Sequence, residues 1–465
     1  MLVRLMEQKR ENWGSKTGFI LAAAGSAIGL GNIWKFPYIA GENGGASFII
    51  VYLICIAIIG LPVLIAEILI GRTTQRDPVG AFYKLSNSKF WASVGGMGIV
   101  GGFLILSFYA VIAGWAVGYI VEAVLGNFNS FTEATSASDH FNNLVGNVYW
   151  ILGYFTFFMI ITMVIVYAGI QKGIERGSKI MMPVLFLLLI ILMIRGVTLE
   201  GAAAGMDFLW NPDWSKINAQ SVLIALGHAF FTLSLGMGAM LTYGSYMSKK
   251  DSVPNSALQI VVLDTVIALI AGVAIFTSVF AVGLDPAAGP GLIFHTLPSV
   301  FIKMPGGYIF AILFFVLLTI AALTSSISLL QVVVSYFVDE RKWKRHTAVT
   351  VLAGIIFLLG VPSALSYNIL SDFKFFGMNF FDIVDFTASN VILPLGGMLI
   401  AIFVGWVWGF DKVIINVKEG AEKLFDEHPI VLTFWKIFLK FFAPILIFLV
   451  LLQSIGILDK IAALF

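Results

Sequence analysis

Residues 17–40 read TGFILAAAGSAIGLGNIWKFPYIA, a run apolar enough to cross a bilayer yet interrupted at its middle by Gly25, Gly29 and Gly31. Glycine inside a helix costs about 1 kcal/mol relative to alanine. A helix opened at bilayer depth also strands backbone N–H and C=O groups, which is tolerable only where they line a cavity or hold something polar. The stretch therefore predicts a membrane helix broken around a site for small ions and a polar solute.

Composition points to the same environment. The chain has 465 residues, 59% hydrophobic and 12% charged, with a mean hydropathy of +0.96. Soluble domains carry about 25% charged residues. A net charge of +2 and the lack of basic runs interleaved with aromatics exclude a nucleic-acid partner. The single cysteine, Cys55, sits in an apolar run and reads as a small buried hydrophobe, with no redox or metal role.

A hydropathy window of about 19 residues marks eleven segments: 17–40, 46–70, 92–124, 147–170, 181–197, 219–247, 257–283, 305–337, 347–362, 383–408 and 432–456. Lys and Arg gather in alternate connections, from Arg72 to Lys89, Lys172 to Lys179, Lys249 to Lys250, Arg341 to Arg345 and Lys412 to Lys423. The opposite connections, such as 125–146 and 284–304, hold few. By the positive-inside rule the N-terminus is cytoplasmic and the C-terminus outside, in a multi-pass protein of the plasma (inner) membrane. No signal-peptide pattern precedes the first segment.

A second interruption lies in the sixth segment, HAFFTLSLGMGAMLTYGSY at 228–246, where Thr232, Ser234, Gly236 and Gly238 break the apolar run. Two broken helices at matching places five segments apart point to an inverted-repeat transporter with its site at the repeat interface. The expected fold is an all-α integral membrane protein. Residues 1–197 form one five-helix repeat and 219–408 the second, inverted one (5+5, helices 1 and 6 discontinuous). Residues 432–456 form an additional helix, a candidate for packing or oligomer contact rather than transport.

The stretches AGSAIGLGNIWKFPY (24–38), ENGGASF (42–48), GHAFFTLSLGMGA (227–239), ALTSSIS (322–328) and FDIVDF (381–386) resemble the neurotransmitter:sodium symporter family, in its bacterial amino-acid branch. The resemblance runs in order from residue 9 to about 408 and implies Na⁺-driven uptake by alternating access. Two sodium ions and no organic cofactor are implied. The first sodium site would use the Ala27 carbonyl, Asn32, Thr232 and Asp264 with the substrate carboxylate. The second would use the Gly25, Ile28 and Ala321 carbonyls with the Thr324 and Ser325 hydroxyls. Sodium is a hard cation, and oxygen ligands of this kind suit it.

Asp264 lies in QIVVLDTVIALIAG with no cation nearby in sequence. A carboxylate near mid-membrane costs at least ~2.5–3.5 kcal/mol, so it marks a functional site. Many relatives carry Asn at this position and require chloride; a fixed carboxylate here implies chloride-independent transport. His228 stands where relatives more often have Gln, beside Glu67 by analogy. It reads either as a satisfied core histidine or as a proton-coupled group, because imidazole titrates near neutral pH.

The resemblance also implies the substrate class. Aminergic relatives have an acidic residue in the first unwound stretch, whereas this chain has Gly29. An α-amino acid would place its carboxylate against sodium and the N–H groups of Leu30 and Gly31, with Tyr109 hydrogen-bonded to it and Phe231 closing over it. Ile105, Tyr109, Phe231, Ser234, Met237, Ser325 and Leu329 would line the side-chain pocket. None is charged, so a neutral amino acid is expected. Met237 replaces the Phe of leucine-preferring relatives and, being adaptable, favours large hydrophobic or aromatic side chains.

By the same resemblance, Lys35 and Asp385 would form an outer ion pair, and Arg10 with Asp339 an inner one, assisted by Trp13, Ser245, Tyr246 and Gln331. The Gly173-x9-Pro183 spacing reads either as a segment that unwinds to release sodium or as a loop-to-helix junction with Pro in its first turn. Partners are the amino acid and the lipid bilayer, the protein being a monomer or homodimer. A channel would need a filter or charged ring that the sequence lacks. An enzyme would need a nucleophile–base pair or metal cluster, which one Cys and five scattered His do not supply. An amino-acid sensor that does not transport is the remaining alternative.

Overall fold

A computed structural model describes residues 11–131, 134–283 and 292–458. Among them the chain is helical, with a single isolated bridge between Phe375 and Met378. Nine of the described helices are long and apolar enough to cross a bilayer: Ala46–Thr74, Lys89–Val124, Val148–Tyr167, Ile170–Val197, Val253–Ala281, Gly307–Asp339, Arg345–Leu365, Phe380–Val407 and Pro429–Ser454. The pair Lys16–Ala27 and Gly31–Glu42, bent by 47° at its break, adds a tenth. Ala219–Thr232 is shorter and resumes after its own break as Ala239–Gly244. These elements match the eleven expected segments and are numbered in that order below.

The fifth helix departs from the loop-junction reading. A π turn over Ile170–Glu175 runs into an α-helix at Arg176–Val197 with Pro183 inside it, well past the first turn. The wide turn is seated against the fourth helix, where a Cβ on Gly173 would stand 2.0 Å from the Ile165 carbonyl oxygen. Arg72 is a second correction. Rather than a loop cation it is buried at the end of the second helix. Its guanidinium donates to the carbonyls of Asp251 and Glu419 at 2.7 Å each and to that of Asn416.

Small residues bring backbones together around the breaks. On the third helix a Cβ at Gly98 would stand 3.3 Å from the Gly238 nitrogen, and one at Gly102 3.7 Å from the Leu329 carbonyl. The sixth and eighth helices therefore approach it closely, as membrane helices do through small-residue faces. On the second helix, Gly71 faces the Leu241 carbonyl at 2.0 Å from its would-be Cβ, locking the second half of the sixth helix, Ala239–Gly244, in place.

Between the second and third helices, Asp77 caps the short helix Pro78–Ser86, accepting from the N–H groups of Val79 (3.0 Å) and Gly80 (3.3 Å). It is buried. Burial and the neighbouring carboxylates of Glu340 and Asp339 push its pKa up to about 8. The folded state then binds a proton that the unfolded chain has released, so stability falls as pH rises from the ordinary carboxylate range toward 8. One such proton contributes at most about 1.4 kcal/mol per pH unit. Asp77→Asn is expected to flatten the melting temperature between pH 5 and 8, measured by thermal unfolding in detergent. A slope as steep as the native one would remove Asp77 as its source.

Candidate functional site

The two breaks meet at the centre of the bundle. In the first helix Ile28 turns to an extended conformation (ψ 99°) directly after Ala27. In the sixth, Ser234, Gly236 and Gly238 adopt φ of 54°, 81° and 74°. Gly236 is required there twice over, since a Cβ would also stand 2.2 Å from the Leu393 carbonyl oxygen. Its freed N–H donates to Glu67 Oε1 at 2.6 Å, so Glu67 completes the backbone of the break.

Ser26 joins the two interruptions and was not among the expected residues. Its carbonyl accepts from Ser234 Oγ (2.8 Å) and Ser325 Oγ (3.0 Å), and its hydroxyl donates to Ser328 Oγ (2.6 Å). Its signal was present in AGSAIG as a lone hydroxyl within the small-residue run.

One oxygen cluster contains Asn32, Thr232 and Asp264. Asn32 Nδ2 donates to Asp264 Oδ1 at 2.8 Å. Thr232 Oγ1 lies 3.1 Å from Asn32 Oδ1 and 3.2 Å from Asp264 Oδ1. All three residues are buried, and Gly29 N–H donates to Asn32 Oδ1 at 3.2 Å. The arrangement can bind a hard cation beside the first break.

A second cluster lies toward the eighth helix. Thr324 Oγ1 stands 3.0 Å from the Ala321 carbonyl and 3.4 Å from that of Ile28. A Cβ on Gly25 would touch Thr324 Cβ at 3.2 Å, so that glycine lets the first helix reach the eighth. Ser325 turns its hydroxyl to the Ser26 carbonyl.

Between the clusters is a cavity lined by Ile105, Tyr109, Phe231, Ser234, Met237, Ser325 and Leu329, together with Ser26, Ala27, Gly29, Gly31, Thr232 and Ser328. Its lining is neutral. Leu30 points its N–H at Tyr109 Oη (3.1 Å). Above it is a larger cavity of about 270 Å³. Lys35, His228, Phe231 and Asn390 line it, and the eleventh helix contributes Val450 and Gln453. That helix thus forms part of the wall of this cavity. Phe231 lines both cavities.

Two expected pairings are not formed. Lys35 does not bond Asp385; its ammonium lies over the Phe231 ring, 4.6 Å from the centroid. Asp385 Oδ1 instead accepts from Ser389 Oγ at 2.6 Å, one turn along its own helix. The ring face holds the compact ammonium by cation–π attraction. His228 is not beside Glu67 either. It packs against Phe36 (5.9 Å) and Tyr52 (5.4 Å), and the fifteen residues from Tyr52 to Glu67 span about 22 Å of helix.

On the opposite side Trp13 closes the bundle. Its Nε1 donates to the Tyr243 carbonyl (2.9 Å) and its N–H to that of Tyr246 (3.1 Å). Gln331 Nε2 donates to Tyr246 Oη (2.8 Å) and Arg345 Nη2 to Gln331 Oε1 (2.7 Å), while Ser245 Oγ turns back to the Thr242 carbonyl. Arg345, which the sequence marks only as a loop cation, thereby joins this network. Arg10, expected to pair with Asp339, lies outside the described residues.

The profile of the Sodium:neurotransmitter symporter family matches residues 10–135 and 138–462. An uncharacterized sodium-dependent transporter of Bacillus subtilis, YhdH, is 42% identical over 98% of this chain and all of its own length. Another from Haemophilus influenzae is 35% identical, covering 96% of this chain and 99% of that protein. Among solved structures, MhsT in complex with L-phenylalanine superposes with a TM-score of 0.87 at 48% identity, over 96% of this chain and all of that one.

Proposed function

This chain belongs to the Sodium:neurotransmitter symporter family, and from that premise we propose that it couples sodium entry to uptake of a large neutral, hydrophobic or aromatic L-amino acid. It is a sodium-dependent, multi-pass membrane transporter and not an enzyme. The observation that carries the finer reading is the neutral cavity between two oxygen clusters, walled by Tyr109, Phe231 and Met237. An ionic side chain would be buried there without a partner. MhsT is solved in complex with L-phenylalanine, a neutral, apolar amino acid that matches the polarity of this lining.

Two sodium ions are proposed. The first sits with Asn32, Thr232, Asp264, the Ala27 carbonyl and the substrate carboxylate. The second sits with the Gly25, Ile28 and Ala321 carbonyls, Thr324 and Ser325. Asp264 supplies the fixed negative charge that makes chloride unnecessary. The site lies between the two five-helix units, 1–197 and 219–408, and opens alternately to either side of the membrane, with the N-terminus in the cytoplasm. Phe231 with Lys35 closes the outer route; Trp13, Tyr246 and Gln331 close the inner one.

The test is uptake of radiolabelled Leu, Phe, Tyr and Trp into proteoliposomes under an inward Na⁺ gradient, repeated with K⁺ replacing Na⁺ and gluconate replacing chloride. Na⁺-dependent accumulation that survives gluconate is expected. Na⁺-dependent binding without accumulation would identify a sensor instead. Met237→Phe adds a rigid ring to the pocket wall and is expected to raise the KM for Trp about 10-fold or more relative to Leu, the scale set by a misfit of one or two groups. Competition assays read that ratio directly; an unchanged ratio removes Met237 from specificity.

A further inference from the structure

We propose that Glu175 is the positioning residue that holds the inner half of the first helix shut against the fifth, and so sets when sodium leaves toward the cytoplasm. The inference rests on the sodium-coupled reading above and assigns it a gate outside the Trp13 network. The Glu175 carboxylate accepts from Gly14 N–H at 2.6 Å and from Ser15 Oγ at 2.9 Å. Lys179 Nζ lies 2.6 Å from the same carboxylate. Ser15 is itself the cap of the first helix, accepting from Gly18 N–H at 3.0 Å. One carboxylate thus ties the cap of one helix to the π turn of another.

Burial decides which of these contacts matters. Glu175 is 3% exposed, whereas Lys179 is 43% exposed at its side chain, and exposed ion pairs contribute little. Neighbouring links, from Ile170 N–H to Glu11 Oε2 and from Gln171 Nε2 to the Asn12 carbonyl, depend on Glu11 and Gln171, both exposed to competing water. Displacing the first helix would strip the buried Glu175 carboxylate of its two hydrogen-bond donors from Gly14 and Ser15 and leave it with Lys179 alone. The fit is tight: a Cβ on Gly18 would stand 2.2 Å from Glu175 Oε1.

The same two helices touch again higher up, where a Cβ on Gly25 would meet Met182 Sδ at 3.0 Å and Thr324 Cβ at 3.2 Å. Gly25 is therefore sandwiched between the fifth helix and the second oxygen cluster. Swinging the start of the first helix away from Glu175 withdraws Gly25 and Ile28 from Thr324 and opens that cluster inward. The latch and the ion ligands are ends of one rigid twelve-residue helix, Lys16–Ala27.

The experiment is hydrogen exchange of the full-length protein in lipid nanodiscs, with Na⁺ or K⁺ as the only alkali cation, comparing native protein with Glu175→Ala, Gly18→Ala and Lys179→Ala. Glu175→Ala removes the acceptor and Gly18→Ala pushes it aside from the other helix. Both are expected to speed exchange of amides 14–24 at least tenfold and to erase the slowing that Na⁺ produces there. Lys179→Ala is expected to leave exchange within twofold of native. Native exchange that responds to Na⁺ while both Glu175→Ala and Gly18→Ala match native would overturn the latch alone. Native exchange indifferent to Na⁺ would overturn the latch together with the sodium-coupled reading.

Discussion

Replacing Asp264 with Asn is expected to raise the sodium concentration needed for half-maximal uptake by roughly 10²–10³-fold in chloride-free medium, with partial recovery when chloride is added. The carboxylate is fully buried, and its Oδ1 is shared by Asn32 Nδ2 and Thr232 Oγ1. In the proposed site, sodium and this carboxylate are a buried pair. Removing one partner of such a pair costs about 3–5 kcal/mol, which is the stated factor in affinity. Asn keeps the shape and one oxygen but loses the charge, so a mobile anion becomes the only way to balance the cation. Asp264→Ala also removes the shape and should not be rescued. If the Asn variant takes up substrate in gluconate with native sodium dependence, the charge of Asp264 has no role in coupling.

Gly29→Ala should reduce uptake about 100-fold or more while leaving a folded, monodisperse protein. The added methyl carbon would stand 2.4 Å from Ser325 Oγ and 2.8 Å from Tyr109 Oη. Neither atom is free to retreat: Ser325 Oγ donates to the Ser26 carbonyl and Tyr109 Oη accepts from Leu30 N–H. Overpacking of this kind costs about 1–3 kcal/mol. A displacement of about 1 Å among groups that orient a substrate can add a further 10²-fold. The methyl would also occupy the cavity itself. Adding Ser325→Ala removes the shorter contact and is expected to restore part of the uptake, at the cost of a proposed sodium ligand. Full activity in the single variant would show that the first break does not face the transported solute.

The breaks themselves were readable because glycine and hydroxyl residues inside an otherwise unbroken apolar run weaken a membrane helix unless their backbone and oxygens are put to use. Gly29, Ser234, Gly236 and Gly238 sit at the breaks as that pattern placed them, whereas Gly25 and Thr232 lie within the flanking helices; the seven side chains that line one pocket follow from the family resemblance. Three-dimensional choices among equally good partners were not readable. Lys35 had a carboxylate and a ring to choose from, and geometry gave it Phe231. His228 lies at the level of Tyr52, too far along the second helix to meet Glu67, and nothing in the sequence around His228 fixes that level. The pairing of Glu175 with Gly14 and Ser15 joins residues 160 apart, and no local pattern announces it. Pro183 misled because proline usually marks a helix start, yet it is accommodated inside the fifth helix.

Arg72 has a consequence for where this chain tolerates change. Its guanidinium gathers carbonyls from the connection after the sixth helix and from the stretch that follows the tenth, so those two segments share one anchor. Surface connections are normally the places that accept insertions, tags and protease cuts. Here the backbone next to Lys249, Lys250 and Lys418 is pinned at fixed length to a buried cation. Trypsin should spare these lysines despite their exposure, and a label or fused domain belongs in another connection.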